Sequence, residues 1–263
     1  MVVETKKSLG QHWLHDPASL QAMVDAADVQ PSQTVLEIGP GTGTLTEYLL
    51  AAGAQVVALE FDQDLLKGLQ KRFDGGANFK LVHGDIRTFN FTELPAGYKV
   101  GPNIPFFLKS PVVHLLSKPP TPPVCAVLLI QKEVAERATA KPGNMSLLSI
   151  TTQFYWEASL GPLVPAELFT PPPKVDSQIL ILQRRAQQLF PDEEPKDFFR
   201  LVKAGFSQKR KTLLNSLSAG LNLDKSRTLA LLETAGLAPT LRPQNLGLSD
   251  WHSLLRAQAA ANR

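Results

Sequence analysis

Cysteine is nearly missing from this chain. Cys125 is the only one in 263 residues, which excludes an intrachain disulfide and a cysteine-rich zinc cage. Long apolar runs are lacking as well: no stretch approaches the ~18 uncharged apolar residues of a membrane span. The segment Met1-Val2-Val3-Glu4-Thr5-Lys6-Lys7 has no apolar signal core. A large charge of one sign is absent too, since 27 Lys+Arg against 24 Asp+Glu leave a formal net charge of +3. These absences argue against secretion, membrane insertion and a zinc ribbon, and the expectation is a cytoplasmic globular protein. With 43% hydrophobic residues, the length suffices for one large domain and a smaller one.

The modest net charge conceals an asymmetry. From Arg184 onward there are 13 Lys/Arg and 7 Asp/Glu, a balance of +6; the first 183 residues hold 14 and 17, a balance of −3. A basic module joined to a slightly acidic one points to a polyanionic partner for the tail. The first two thirds alternate short apolar runs with helical patterns, which predicts a parallel sheet with helices on both faces. Asp16-Pro17 opens a helix through about Asp28. Strands are expected at Thr34–Ile38, Gln55–Leu59, Phe79–His83, Tyr98–Gly101 and Val124–Ile130, with helices after the first, second, fourth and fifth. Phe154–Leu160 and Ser177–Leu182 read as a closing antiparallel pair around a proline-rich loop, 161–176. Beyond Arg184 the pattern is helical only: 195–207, 208–219, 225–235 and 249–260. The expected division is 1–186 for an α/β domain and 187–263 for a small all-helical one.

The most informative stretch is Val35-Leu36-Glu37-Ile38-Gly39-Pro40-Gly41-Thr42-Gly43-Thr44-Leu45. An apolar strand runs into alternate glycines and then a helix, and glycine allows positive φ and close approach of a ligand to the backbone. Thr44 occupies the place of the third glycine in a dinucleotide fingerprint, and no lysine completes a Walker loop. The pattern E-x-G-x-G-x-G is that of Rossmann-like class I S-adenosylmethionine-dependent methyltransferases. Glu60 ends the next strand, where a carboxylate can accept from both ribose hydroxyls. Asp85 follows the third strand and is placed to accept from an adenine amine. Either acid could instead be a helix cap or a surface turn. His12 and His15 alone complete no metal site, so no metal is expected.

After the fourth strand comes Asn103-Ile104-Pro105-Phe106, similar to the N-[IL]-P-[YF] motif of adenine N6-methyltransferases. The lone pair of an adenine amine is delocalised into the ring, so the amine is a poor nucleophile. The Asn103 side-chain carbonyl and the Ile104 main-chain carbonyl can accept its two N–H bonds and aim the lone pair at a methyl donor. Pro105 fixes the turn, and Phe106 offers a face for an unstacked base. The methylated amine loses its proton to water, and no general base is evident.

From end to end the chain resembles the ribosomal RNA adenine dimethyltransferases of the small-subunit type. The resemblance rests on Lys7–Leu14, the glycine loop, Asn103–Phe106, Gln131–Arg137, Phe169–Ser177 and Gly205–Leu213. It implies S-adenosylmethionine as cofactor, touched by His12, Leu14, Gly39 and Gly41, Glu60, Asp85 and Asn103. It implies a target base facing Asn103, Ile104, Phe106 and Phe169, and RNA contacts at Lys174, Lys209, Arg210 and Lys211. The implied substrate is two adjacent adenosines near the 3′ end of small-subunit rRNA within a pre-ribosomal particle, and the implied enzyme is a monomer. Three positions depart from the usual pattern: Pro102 stands where glycine precedes the asparagine, Phe106 replaces tyrosine, and Trp13 replaces phenylalanine. Two alternatives stay open. One is a large-subunit adenine methyltransferase of the macrolide-resistance type. The other is a non-catalytic assembly or transcription factor on the same fold.

Overall fold

The computed structural model of the protein describes residues 11–102, 109–117, 119–208 and 210–261. Its strands are β1 (Trp13–Leu14), β2 (Thr34–Ile38), β3 (Gln55–Glu60), β4 (Phe79–His83), β5 (Lys99–Pro102), β6 (Cys125–Gln131), β7 (Trp156–Val164), β8 (Phe169–Thr170) and β9 (Ser177–Arg184). Seven of them form one sheet in the order β4-β3-β2-β5-β6-β9-β7. The first five are parallel, and β9 runs antiparallel to both β6 and β7. The order reverses between β2 and β5, so both strands release their chain at the switch point where open α/β sheets bind ligands.

The helices of the first part are α1 (Pro17–Ala27), α2 (Thr44–Ala51), α3 (Gln63–Arg72), α4 (Lys109–Ser117) and α5 (Lys132–Ala138). Helix α1 starts where Asp16 accepts the Ser19 N–H at 2.8 Å, with Pro17 at the first helical position. It ends at Asp28 in the left-handed region, φ 46°. Lys99, on β5 and only 8% exposed, donates to the carbonyls of Ala27 at 2.7 Å and Asp28 at 2.5 Å. The last turn of α1 is thereby tied to the strand that leads into the Asn103 segment. Lys99→Met removes both bonds, and while the Asp28 carbonyl keeps Gln30 Nε2 at 3.3 Å the buried Ala27 carbonyl loses its lysine donor, so we expect a stability loss of about 1–3 kcal/mol. A lowered denaturant midpoint at unchanged slope checks it; an unmoved midpoint contradicts the role.

The second part is helical: α6 (Leu147–Tyr155), α7 (Pro195–Phe206), α8 (Leu213–Leu221), α9 (Lys225–Thr234) and α10 (Leu248–Ala261). The chain divides into two compact units, one ending at Arg184 and the other resuming at Arg185, but the second also takes Arg137–Tyr155 out of the middle of the first. The expected contiguous division at 186/187 therefore misses α6. Helix α6 belongs with the helices because Ile150 and Phe154 are buried in their core beside Phe198, Leu217 and Trp251. The expected strand at 154–160 accordingly begins at Trp156 and runs on to Val164, through Pro162 on the sheet edge, where proline is tolerated. Trp156 is fully buried, donates to Ser117 Oγ at 2.8 Å and lies under the Arg184 guanidinium. Counted over the second unit, 14 Lys/Arg face 7 Asp/Glu, a balance of +7, against 13 and 17 in the first, −4. The discontinuous segment contributes Arg137 and Lys141 and sharpens the asymmetry.

Candidate active site

The glycine loop joins β2 to α2. Gly39, Gly41 and Gly43 have φ of 70°, 61° and 83°, a region that side chains with a Cβ rarely adopt. Gly43 has a second constraint: a Cβ there would lie 2.5 Å from the Phe73 ring and 3.2 Å from Leu69, so α3 packs directly on the loop. Arg72 at the end of α3 donates to the Thr42 carbonyl and to Glu47 on α2. The three glycine N–H groups are all engaged within the protein: Gly39 to Leu59 O, Gly43 to Pro40 O, and Gly41 to the Glu60 carboxylate at 3.1 Å. A phosphate cradle needs such groups free and a positive surround. Here a carboxylate stands against the loop instead, which disfavours a phosphate at this position.

The Glu60 carboxylate, 5% exposed, also accepts the Asp62 N–H at 2.8 Å. Burial raises its pKa above the ordinary carboxylate value, and the N–H bonds from Asp62 and Gly41 hold it down in part. Asp62 caps α3 through the Asp64 N–H and accepts Gln11 Nε2 at 2.7 Å, which brings the N-terminal segment to the end of β3. Phe61, between the two acids, is 51% exposed. Neither Gln11, Asp62 nor Phe61 carried a signal in the sequence beyond its neighbours. The next strand end lies alongside, with His83 in register with Glu60 and Gly84 N–H bonded to Glu60 O. Asp85 follows, its carboxylate held below the usual range by the Arg87 guanidinium that pairs with both oxygens. A ligand amine reaching Asp85 would share that carboxylate with Arg87.

On the other side of the loop, Leu14 and Trp13 of β1 line an open recess with Met23, Pro40, Thr42 and Leu129. Strand β1 pairs with β8, Leu14 opposite Phe169, and His12 Nδ1 lies 2.7 Å from the Pro171 carbonyl. That contact requires the proton on Nδ1. A two-residue pairing gives no periodic signal, so the sequence did not foretell it. Phe169 is only 3% exposed and packs in the core with Leu14, Leu20 and Leu129, so its ring offers no open face to a base in this conformation. Lys174 is exposed in the loop before β9. Because β9 is antiparallel to β6, Ser177 pairs with Gln131, and this loop sits at the same sheet edge as the glycine loop.

Strand β5 ends at Pro102, which is in register with Ile38, the residue before Gly39. Proline thus closes the strand at this place. Asn103, Ile104 and Phe106, which follow, lie outside the described residues, as does Lys209. Arg210 and Lys211 are exposed in the second unit, but not on a helix start as expected: they lie in the turn between α7 and α8. Helix α8 begins only at Leu213 with Thr212 as cap, because Lys211 N–H and Ser216 Oγ both bond to Gln208 O and close the turn. Gly205, in the same motif, serves packing: a Cβ there would overlap the Trp251 ring.

The structure thus assembles the glycine loop, Glu60, Asp85 and Leu14 at one sheet edge, with carboxylates facing the loop. That donor set fits a ligand with hydroxyl and amine donors and a positive charge, as S-adenosylmethionine has. The family profile described as Ribosomal RNA adenine dimethylase matches residues 2–257. The chain belongs to that family. Among curated relatives, Ribosomal RNA small subunit methyltransferase A of Dehalococcoides mccartyi (strain CBDB1) is 39% identical over 255 residues, 96% of this chain and 88% of that protein. Its counterpart from Synechococcus sp. (strain JA-3-3Ab) is 42% identical over 259 residues, 95% and 91% of the two chains. Two solved structures in the family's fold are similar over nearly their whole length. The dimethyladenosine transferase from Plasmodium falciparum has a TM-score of 0.78, 29% identity and coverage of 95% and 98%. The 23S rRNA methyltransferase ErmE has 0.75, 28%, and 93% and 98%. Both likenesses place this chain's sheet among class I methyltransferases.

Proposed function

We propose that this protein transfers methyl groups from S-adenosylmethionine to N6 of two adjacent adenosines near the 3′ end of small-subunit rRNA. It acts as a cytoplasmic monomer on a pre-ribosomal small subunit. The observation that carries the reading is the acid-faced glycine loop with β5 ending beside it, one residue before Asn103. Glu60 would take the ribose hydroxyls, Phe61 the face and Asp85 the amine of the cofactor's adenine, and Leu14, His12, Gly39 and Gly41 its amino-acid part. Bound there, the cofactor supplies an activated sulfonium methyl. The chain's own work is to orient the acceptor. Asn103 and Ile104 accept the two N–H bonds of the extruded adenine, Phe106 supports its face, and the proton of the methylated amine passes to water. Phe169 would join that wall once its ring is uncovered.

The helical unit, with its balance of +7, is the proposed RNA-binding module. Replacing Lys209, Arg210 and Lys211 together by alanine should lower the slope of log affinity against log salt by about 2 to 3, since each lost phosphate contact no longer releases its counterions. An unchanged slope would remove that cluster from the RNA surface. Methyl transfer itself is tested with labelled cofactor and subunits lacking the marks. The reading expects dimethyladenosine in the small subunit alone. Label confined to the large subunit supports the alternative raised by the likeness to the 23S rRNA enzyme, against which stand the small-subunit relatives at 39–42% identity.

A further inference from the structure

Glu37 is a charge without an evident purpose in the free protein. It lies on the central strand β2 with 0% exposure, two residues before Gly39. Its register neighbours, Ala58 on β3 and Gly101 on β5, are uncharged. One carboxyl oxygen accepts the Thr46 hydroxyl of α2 at 2.7 Å. The other, Oε1, is buried with no hydrogen-bond partner. An ionised carboxylate left in this way is costly, and a fold that needed only a staple to Thr46 would be served by glutamine. Among the described residues the one ionisable group whose charge is felt at Glu37 is Glu60, another acid. Among the described residues no cation pairs with either of them, yet both flank the loop over which the cofactor would bind.

We infer that Glu37 is a specificity-determining counter-charge, which favours the sulfonium form of the cofactor over the neutral thioether left after methyl transfer. This rests on the proposed use of S-adenosylmethionine. Glu37 does not touch the cofactor: Glu37 and Gly39 are two strand residues apart, about 7 Å along the chain, and it acts through the field. Burial pushes its pKa up to about 7, helped by Glu60 and opposed by the Thr46 bond, so the carboxyl is half-protonated near neutrality. A positive charge above the loop lowers that pKa and expels the proton. The preference for the sulfonium over the thioether therefore rises as pH rises through about 7. At an intermediate effective dielectric, a unit charge about 9 Å away is felt on the order of tenfold.

The test is calorimetry of S-adenosylmethionine and S-adenosylhomocysteine binding in buffers of different ionisation enthalpy. At pH 7 the wild-type protein should release roughly 0.4 proton more on binding the sulfonium than on binding the thioether, the difference between a half-ionised and a nine-tenths-ionised acid, any release from Glu60 through the shared ribose being common to both ligands. Glu37→Gln keeps the shape and an acceptor for Thr46. It should abolish that excess and, at pH 8, weaken the sulfonium about tenfold while moving the thioether less than twofold. Thr46→Val removes a bond that favours the ionised acid and should move the pH of greatest release upward. An excess release for the sulfonium that persists in Glu37→Gln assigns the effect to another group and overturns the inference, as does equal release with both ligands in the wild type. Failure to bind either ligand overturns the functional reading itself, and this inference with it.

Discussion

Methyl transfer by the Asn103→Ala protein should fall about 10³-fold or more in single turnover, with RNA affinity kept within threefold. The reason is the electronic state of the acceptor. The N6 lone pair is conjugated with the purine ring and must be turned toward the methyl before it can attack. Two carbonyls accepting its N–H bonds hold that geometry and stabilise the charge that develops on nitrogen, and loss of one preorganised partner of this kind typically costs 10²–10³. Here the loss also frees the base to rotate, which adds an orientational cost. In the proposed reading Asn103 would also border the cofactor, so a modest loss of cofactor affinity is expected, far smaller than the loss of rate. A rate within fivefold of wild type would remove Asn103 from the reaction.

The second large effect belongs to Glu60. Its carboxylate accepts N–H bonds from Gly41 and Asp62 and would accept the ribose hydroxyls as well. In Glu60→Ala two buried N–H groups lose their acceptor, at about 1–3 kcal/mol each, and the loop keeps only the Gly39 N–H bond to Leu59 O at the end of β3. Cofactor affinity should fall about 100-fold, and Glu60→Gln, which keeps one neutral acceptor, should fall between wild type and alanine. The raised pKa of Glu60 sets the sign with pH. Protonation removes an acceptor, so wild-type affinity falls as pH drops through that raised value, and the Gln variant lacks this fall. Calorimetry of cofactor binding reads all three results. An alanine variant within threefold of wild type would show that the ribose binds elsewhere.

Some of this architecture is written locally in the chain. Asp16-Pro17 marks a helix start because cap and fixed φ act within four residues, and the apolar run Val35–Ile38 before alternate glycines marks a strand leading to a ligand loop. The prolines at 119–123 likewise announce β6. What the sequence concealed depends on distant partners. Helix α6 is short and apolar, and its membership of the helical unit is decided by residues such as Phe198 and Trp251, far along the chain. The β1–β8 pairing is two residues long. At the site, the acids at the strand ends were legible from spacing alone. Their partners were not: the Arg87 guanidinium on Asp85, the Gly41 amide on Glu60 and the buried face of Phe169 arise from folding. Glu37 was visible as the first letter of the glycine motif, but its orphaned oxygen belongs to the packed structure.

The most direct test of the account is a crystal structure with S-adenosylhomocysteine and an adenosine-containing RNA bound. In that crystal the ribose hydroxyls should lie on Glu60, the target N6 within hydrogen-bond distance of the Asn103 side-chain oxygen and the Ile104 carbonyl, and the thioether sulfur facing that nitrogen. An Asn103 side chain turned away from the base, or a ligand seated elsewhere than over Gly39–Gly43, would contradict it.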